Sequence, residues 1–307
     1  MKAIVFGASG QAGSYMVELL NDKKYEVLAL CPDDFDFTHD TMSIDLKNHF
    51  RTFQPDEVYN FAGKQYAPHS WASPEQYMAV NGTAVLSMLF HLINIVPSAK
   101  FFNAGSAEVF EKGAVWQYEG TKRKPTNPYG CAKLFAEEIV RIYRDMGMFA
   151  CTGIFFNMES PRRKNTFFAE KVVSEAVRIR RELDNNGQFK PMQLGRLDAR
   201  RDWGWTEEYV EVAWRMLQQD TPDDYVIGTG ECHSCLSFVI EALKNVGIRH
   251  EFTKYFKYEP APEGETASSM HAQPFKAEQK LGWRAKYKFA DVVKMLVHAE
   301  MERQVCV

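Results

Sequence analysis

The chain opens with a short β-rich run, Ala3-Ile4-Val5-Phe6. It passes straight into Gly7-Ala8-Ser9-Gly10-Gln11-Ala12-Gly13 and then into a helical pattern over about 11–20. Glycines at G-x-x-G-x-x-G spacing permit a tight turn and let the backbone approach a pyrophosphate. The next helix offers that anion its N–H groups and the positive end of its dipole. Such a triplet also arises in ordinary turns, so its place between strand and helix is what carries weight. Gly7, Ser9, Gly10, Gln11 and Gly13 are therefore candidate dinucleotide contacts. A second strand, over 27–30, runs into Cys31-Pro32-Asp33-Asp34, where the ribose of such a cofactor is read. An acid suits the free diol of NAD, and an Arg suits the 2′-phosphate of NADP. Asp33 therefore leans to NAD, against the plainer account of a polar turn.

The pattern continues with strands over 57–61, 100–103 and 149–156 and helices over 80–95 and 128–146. Such alternation predicts an α/β fold, a doubly wound parallel (Rossmann) sheet covered on both faces. The second half is less regular. It has Pro, Gly and charge clusters around 185–190 and 259–269 and an amphipathic helical pattern over 283–301. A length of 307 residues suits about two structural units. The expected division is a dinucleotide-binding domain over 1–156 and a smaller substrate lobe over 157–307, with later segments returning to the main sheet.

Composition excludes several classes. Lys and Arg number 37 against 40 Asp and Glu, a formal charge of −3, which argues against a nucleic-acid partner. The apolar stretch over 84–96 falls short of the ~20 residues that span a bilayer, and it carries His91 and Asn94, so no membrane is expected. No signal pattern is visible, and a cytoplasmic location is expected. Cys232-His233-Ser234-Cys235 is a lone C-x-x-C without a second ligand pair, so no metal is expected and free thiols are.

Tyr129 and Lys133 form Y-x-x-x-K on a predicted helix, and i, i+4 spacing puts both on one face. An ammonium beside a phenol favours the phenolate and would lower the Tyr129 pKa from about 10. That makes Tyr129 a candidate general base. The strand over 100–103 leads into Ala104-Gly105-Ser106-Ala107-Glu108, at the carboxyl end where an open parallel sheet places its ligand. Ser106 is placed to hold the oxygen that Tyr129 deprotonates. Glu108 is placed to act as acid or base at a neighbouring carbon, or is simply a solvated loop carboxylate.

Glycine loop, Ser106 and Y-x-x-x-K together resemble the extended short-chain dehydrogenase/reductase superfamily. More narrowly, nearly the whole chain resembles the GDP-mannose 4,6-dehydratase family. The most specific stretches are Gly10-Gln11-Ala12-Gly13-Ser14-Tyr15, Asn157-Met158-Glu159-Ser160-Pro161-Arg162-Arg163, and Leu194 through Gly204 with its Arg200-Arg201-Asp202-Trp203 core. Tyr225-Val226-Ile227 and Leu281-Gly282-Trp283 add to them. The resemblance implies oxidation at the sugar C4 with Tyr129, Lys133 and Ser106, removal of the C5 proton by Glu108, loss of the C6 hydroxyl as water, and return of the hydride to C6. It implies a tightly bound, recycled NADP or NAD. Cofactor contacts carry over to Asp45, Leu46, Asn60, Phe61, Ala62, Gly63 and Arg163. Nucleotide-sugar contacts carry over to Asn157, Lys171, Arg201 and Lys257, the last a Lys where the family has a phosphate-binding Arg. A homodimer through the helices over 84–95 and 129–146, or a homotetramer, is implied.

The chain also departs from the family pattern. It lacks the Arg pair and the long insertion after the second strand. Ala12 stands for Asp, Met158 for His and Arg196 for Asn. These leave open another GDP-hexose or a GDP-heptose as substrate. A 4-epimerase or 4-ketoreductase would need no base for C5, so Glu108 favours the dehydratase. A non-catalytic dinucleotide-binding protein would need only the cofactor contacts, and the intact Ser106, Glu108, Tyr129 and Lys133 argue against it.

Overall fold

A computed structural model describes residues 1–31, 37–38, 42–113, 116–163, 166–260 and 268–305. Its centre is a six-stranded parallel sheet of β1 (Lys2–Phe6), β2 (Glu26–Leu30), β3 (Glu57–Asn60), β4 (Lys100–Ala104), β5 (Ala150–Phe155) and β10 (Tyr225–Ile227). The spatial order is β10-β5-β4-β3-β1-β2. Strands β3, β5 and β10 are buried along their whole length, as strands covered by helices on both faces must be. By contrast, β2 is an edge strand with Glu26 and Ala29 exposed.

The familiar doubly wound order places three strands in each half. Here the first half has only β1 and β2, because the chain leaves β2 and re-enters at β3 on the other side of β1. The reversal therefore falls between β1 and β3, and a crevice opens at their carboxyl ends. The segments after β1, β3, β4 and β5 all meet there.

Helices α1 (Gln11–Asp22), α2 (Met42–Phe53), α3 (Pro74–Met78), α4 (Ala84–Ile95) and α5 (Pro128–Asp145) flank the first five strands. The helical pattern expected from residue 80 in fact starts at Pro74 and runs through a π turn over Ala79–Thr83. That turn directs the buried Asn81 side chain at the loop after β3, where it accepts from Lys64 N at 3.0 Å and donates to Lys64 O at 3.1 Å. The continuous helix Pro74–Ile95 is long and apolar enough to cross a membrane by length and composition. Its Val85, Met88, Leu89 and Leu92 are instead buried in the core under the sheet.

The later chain divides between two layers. Helix α7 (Thr206–Leu217), strand β10 and helix α9 (Phe275–Leu281) join the sheet's core, with Tyr209 stacked on Phe155 at 5.8 Å. Helices α6 (Phe168–Asn186), α8 (Cys235–Asn245) and α10 (Phe289–Val305) build a second core around Val173, Phe238 and Val293. Three short pairs connect the layers: β6 (Asn157–Glu159) with β9 (Trp203–Trp205), β7 (Met192–Leu194) with β12 (Phe256–Tyr258), and β8 (Arg200–Arg201) with β11 (His233–Ser234).

The helix expected over 283–301 is corrected at its start: α10 begins only at Phe289 and runs to Val305. Gly282 takes a left-handed φ of +58° and ends α9. Trp283 then turns into the core against Tyr209, and the Glu208 carboxylate accepts from Lys286 N and Tyr287 N at 2.9 and 3.2 Å. Those bonds hold the segment extended until Phe289.

Candidate active site

The turn after β1 builds the first half of the crevice. Gly7 has φ +76°, and a Cβ on it would lie 2.7 Å from Ala62 N. A Cβ on Gly13 would lie 2.1 Å from Gly7 O, so α1 sits directly on the turn. Gly10 caps α1 without a side-chain bond, and the first turn holds no acid, so the leading N–H groups stay available to an anion. A cavity of about 520 Å³ lies in front of them, lined by Gly7, Ser9, Gly10 and Gln11 on one side and Phe61, Ala62 and Gly63 on the other. Asn60 Oδ1 accepts from Ala62 N at 3.2 Å and shapes that second turn. Gln11 donates Nε2 to Met158 O at 3.0 Å, while its buried Oε1 has no partner among the described residues. This donor set fits the phosphates and amide of a nicotinamide dinucleotide.

The remaining expected cofactor contacts separate. Arg163 lines this cavity, and its guanidinium lies 3.9 Å over the Phe167 ring. Leu46 is fully buried in the core with Ile4 and Phe6, and Asp45 sits in the first turn of α2; neither lines the cavity. Asp33 lies outside the described residues.

A second cavity, of about 360 Å³, shares Gln11, Phe61, Gly63, Tyr66, Arg163 and Phe167 with the first. Ser106, Glu108, Tyr129 and Lys133 all line it. The Ser106 hydroxyl lies beside the Tyr129 phenol in this cavity, and its Oγ accepts from Glu108 N at 3.3 Å. The Lys133 ammonium donates to Ala104 O at 2.7 Å and sits 6.0 Å from the Tyr129 ring centroid. Both side chains leave one face of α5, as the spacing requires.

The expected depression of the Tyr129 pKa is not what the structure gives. Burial pushes the phenol up to about 12; Ser106 and Arg163 oppose this, and Glu108 adds to it. Burial pushes Lys133 down to about 8. Desolvation of two charged forms outweighs their mutual attraction, because the ammonium points to a carbonyl and not to the phenol. Behind the site, burial lifts Glu159 to about 7 against the pull of Arg163. The Arg163 Nε and Glu159 Oε2 atoms are 3.2 Å apart but not aligned for a hydrogen bond.

The substrate-side residues divide between two places. Asn157 and Arg201 line the catalytic cavity, and Arg201 is anchored on Ser268 Oγ at 2.9 Å. Lys171 and Lys257 line a shallower cavity of about 390 Å³ with Gln193, Gly195 and Tyr258. Helix α6 connects the two, since Phe168 and Ala169 face the first cavity and Lys171 the second.

The sequence matches the family described as GDP-mannose 4,6 dehydratase over residues 38–296. It is 32% identical to GDP-mannose 4,6 dehydratase 1 of Arabidopsis thaliana over 98% of this chain and 90% of that one. It is 31% identical to the human GDP-mannose 4,6 dehydratase, covering 98% and 91%, and 31% identical to that of Vibrio cholerae, covering 98% and 94%. The chain belongs to the GDP-mannose 4,6-dehydratase family. Solved structures share its fold. RMD from Pseudomonas aeruginosa complexed with NADPH superposes with a TM-score of 0.82 at 18% identity, covering 98% of each chain. The dTDP-glucose 4,6-dehydratase of Bacillus anthracis in complex with NAD superposes at 0.80 and 17%, covering 99% and 98%.

Within this dehydratase-family site, sequence reasoning missed Tyr66, Phe167 and Arg162. Tyr66 and Phe167 meet edge to face at 5.6 Å across the junction of the two cavities. No motif marks an aromatic in a loop, so nothing in the sequence points to them. Arg162 lines the dinucleotide cavity, held by Glu18 at 2.7 Å, Ser14 Oγ at 2.9 Å and the Tyr15 ring at 3.8 Å. Its signal is the Ser160-Pro161-Arg162-Arg163 stretch, in which family position marks only Arg163.

Proposed function

We propose that this chain converts GDP-mannose to GDP-4-keto-6-deoxymannose with a bound, recycled nicotinamide dinucleotide. The observation that carries the reading is Glu108: a carboxylate in one cavity with Ser106, Tyr129 and Lys133, in a chain of this family. An epimerase needs the other three and not the fourth.

Tyr129 takes the C4 hydroxyl proton while Ser106, lining the same cavity, steadies that oxygen. A nicotinamide dinucleotide held by the glycine loop, Phe61, Ala62, Gly63 and Arg163 would supply the hydride acceptor for C4 and donor for C6, and in its oxidised form a positive charge. With C4 a ketone, the C5 hydrogen is acidic, and Glu108 removes it. The C6 hydroxyl then leaves as water, taking the proton from Glu108. Lys133, fixed on Ala104 O, holds its charge near the phenol and shapes the cavity floor. Lys171 and Lys257 supply positive charge for the diphosphate, as point charges without a bidentate fork.

NAD is the favoured form of the cofactor. From Cys31 to Leu46 the sequence holds five aspartates and neither Lys nor Arg, an environment that repels a 2′-phosphate. A homodimer is favoured by Met78, Phe90, Phe135 and Ile142, large apolar side chains exposed on α3, α4 and α5.

Mass spectrometry of GDP-mannose incubated with the protein and NAD, and separately NADP, tests the reading. Loss of one water, faster with NAD, is the expected result. An isomer of unchanged mass would replace the dehydratase by an epimerase. Glu108→Gln should still reduce the nicotinamide but release no dehydrated sugar, and Tyr129→Phe should do neither.

A further inference from the structure

Asn127 stands two residues before Tyr129. It is the N-cap of α5, and its Oδ1 accepts from Gly130 N at 2.8 Å. The other end of the same amide donates Nδ2 to Glu108 Oε2 at 2.9 Å. Among the described residues no other side chain hydrogen-bonds the Glu108 carboxylate. A second contact marks the same junction: a Cβ on Gly130 would lie 2.6 Å from Glu108 O, so the turn bearing Glu108 rests on the first turn of α5.

Only an amide does both jobs at once. Its carbonyl oxygen caps the helix, and its NH₂ donates to a carboxylate. An Asp caps equally well but is acceptor-only when ionised, and a Ser has one oxygen for both tasks.

We propose that Asn127 is the positioning residue for Glu108. Its amide ties Oε2 to the helix that carries Tyr129 and Lys133, leaving Oε1 to take the sugar C5 proton. In that step the C5–H bond breaks, its electron pair passes into the C4 carbonyl as an enolate, and the proton goes to Oε1. The assignment rests on the dehydratase reading above. It makes one side chain responsible for the relative position of the group acting at C4 and the group acting at C5.

The test compares wild type, Asn127→Asp and Asn127→Ser with GDP-mannose in heavy water. Both variants keep a good N-cap. Three quantities are read: melting temperature, reduced-nicotinamide absorbance in a single turnover for C4 oxidation, and deuterium at C5 for proton removal. In both variants the melting temperature and C4 oxidation should hold, while C5 exchange falls by about tenfold or more, the scale of one lost hydrogen bond to a charged group. A merely structural role would lower all three together, and that outcome overturns the assignment. So does C5 exchange at the wild-type rate in both variants. Wild type that never exchanges C5 would overturn the dehydratase reading itself, before any variant is compared.

Discussion

Lys133 is buried, and its replacement by Met should show what that burial does to stability. The folded chain holds its pKa near 8, against 10.5 for an unperturbed lysine. Between those values the unfolded chain binds more protons than the folded one, so this group makes stability rise with pH. Below pH 8 both states are protonated and the full penalty applies. With 1.36 kcal/mol for each pH unit separating the two pKa values, it amounts to about 3 kcal/mol at pH 7 and falls to about 1 kcal/mol at pH 10. Lys133→Met removes the penalty but leaves Ala104 O without its 2.7 Å donor, an offset of about 1–3 kcal/mol that does not change with pH. The measurable quantity is therefore the slope. The stability difference, variant minus wild type, should shrink by about 2 kcal/mol between pH 7 and pH 10. Urea unfolding of the cofactor-free proteins at several pH values gives it directly. A difference that stays flat across this window would refute the desolvation argument.

Two further perturbations follow from geometry. Gly13→Ala sets a Cβ 2.1 Å from Gly7 O, a backbone atom that cannot swing away. It should cost about 1–3 kcal/mol in thermal stability and weaken dinucleotide binding by fluorescence titration, because the turn must open. Phe135→Asp places a charge beside Met78, both side chains lying within 3.1 Å of the point where a Gly82 Cβ would sit. On the homodimer proposed above, light scattering should report a dimer for the parent protein and a monomer for the variant, with the melt of the isolated chain little changed.

Much of the sheet could be read from the sequence because its strands are short apolar runs that stop at Gly or Asn. Residues 3–6, 57–60 and 100–103 show this directly. Glycine loop, Ser106, Glu108, Tyr129 and Lys133 were also legible, since each lies within a few residues of a strand or helix end. What stayed hidden depends on distant contacts. Helix α2 follows the Asp-rich segment and buries only Leu46 and Phe50, so its apolar stripe is thin. Helix α6 has four Arg or Lys residues among its nineteen and is held by Val172, Val173 and Ile179 against α8 and α10. Leu46 carries the same lesson from the other side, since family position pointed to the cofactor while its side chain belongs to the core. Asn127 was invisible because its meaning lies in Glu108, nineteen residues earlier in the chain.

The largest correction concerns charge. Spacing i, i+4 placed Tyr129 and Lys133 on one face, and the inference to a depressed phenol pKa followed from the pair alone. In the folded chain the order of proton loss is Lys133 first, near 8, and Tyr129 last, near 12. An ammonium that deprotonates before the phenol cannot by itself make the phenolate a neutral-pH base. The charges that lower the phenol further must enter with the ligands, and the oxidised nicotinamide is the cation among them. Tyrosinate absorbance, taken as wild type minus Tyr129→Phe, should therefore titrate near 12 in the cofactor-free protein and clearly lower in the oxidised-dinucleotide complex. Equal titration with and without the dinucleotide would refute the oxidised nicotinamide as the source of activation. A downward shift would make cofactor loading the event that arms the base.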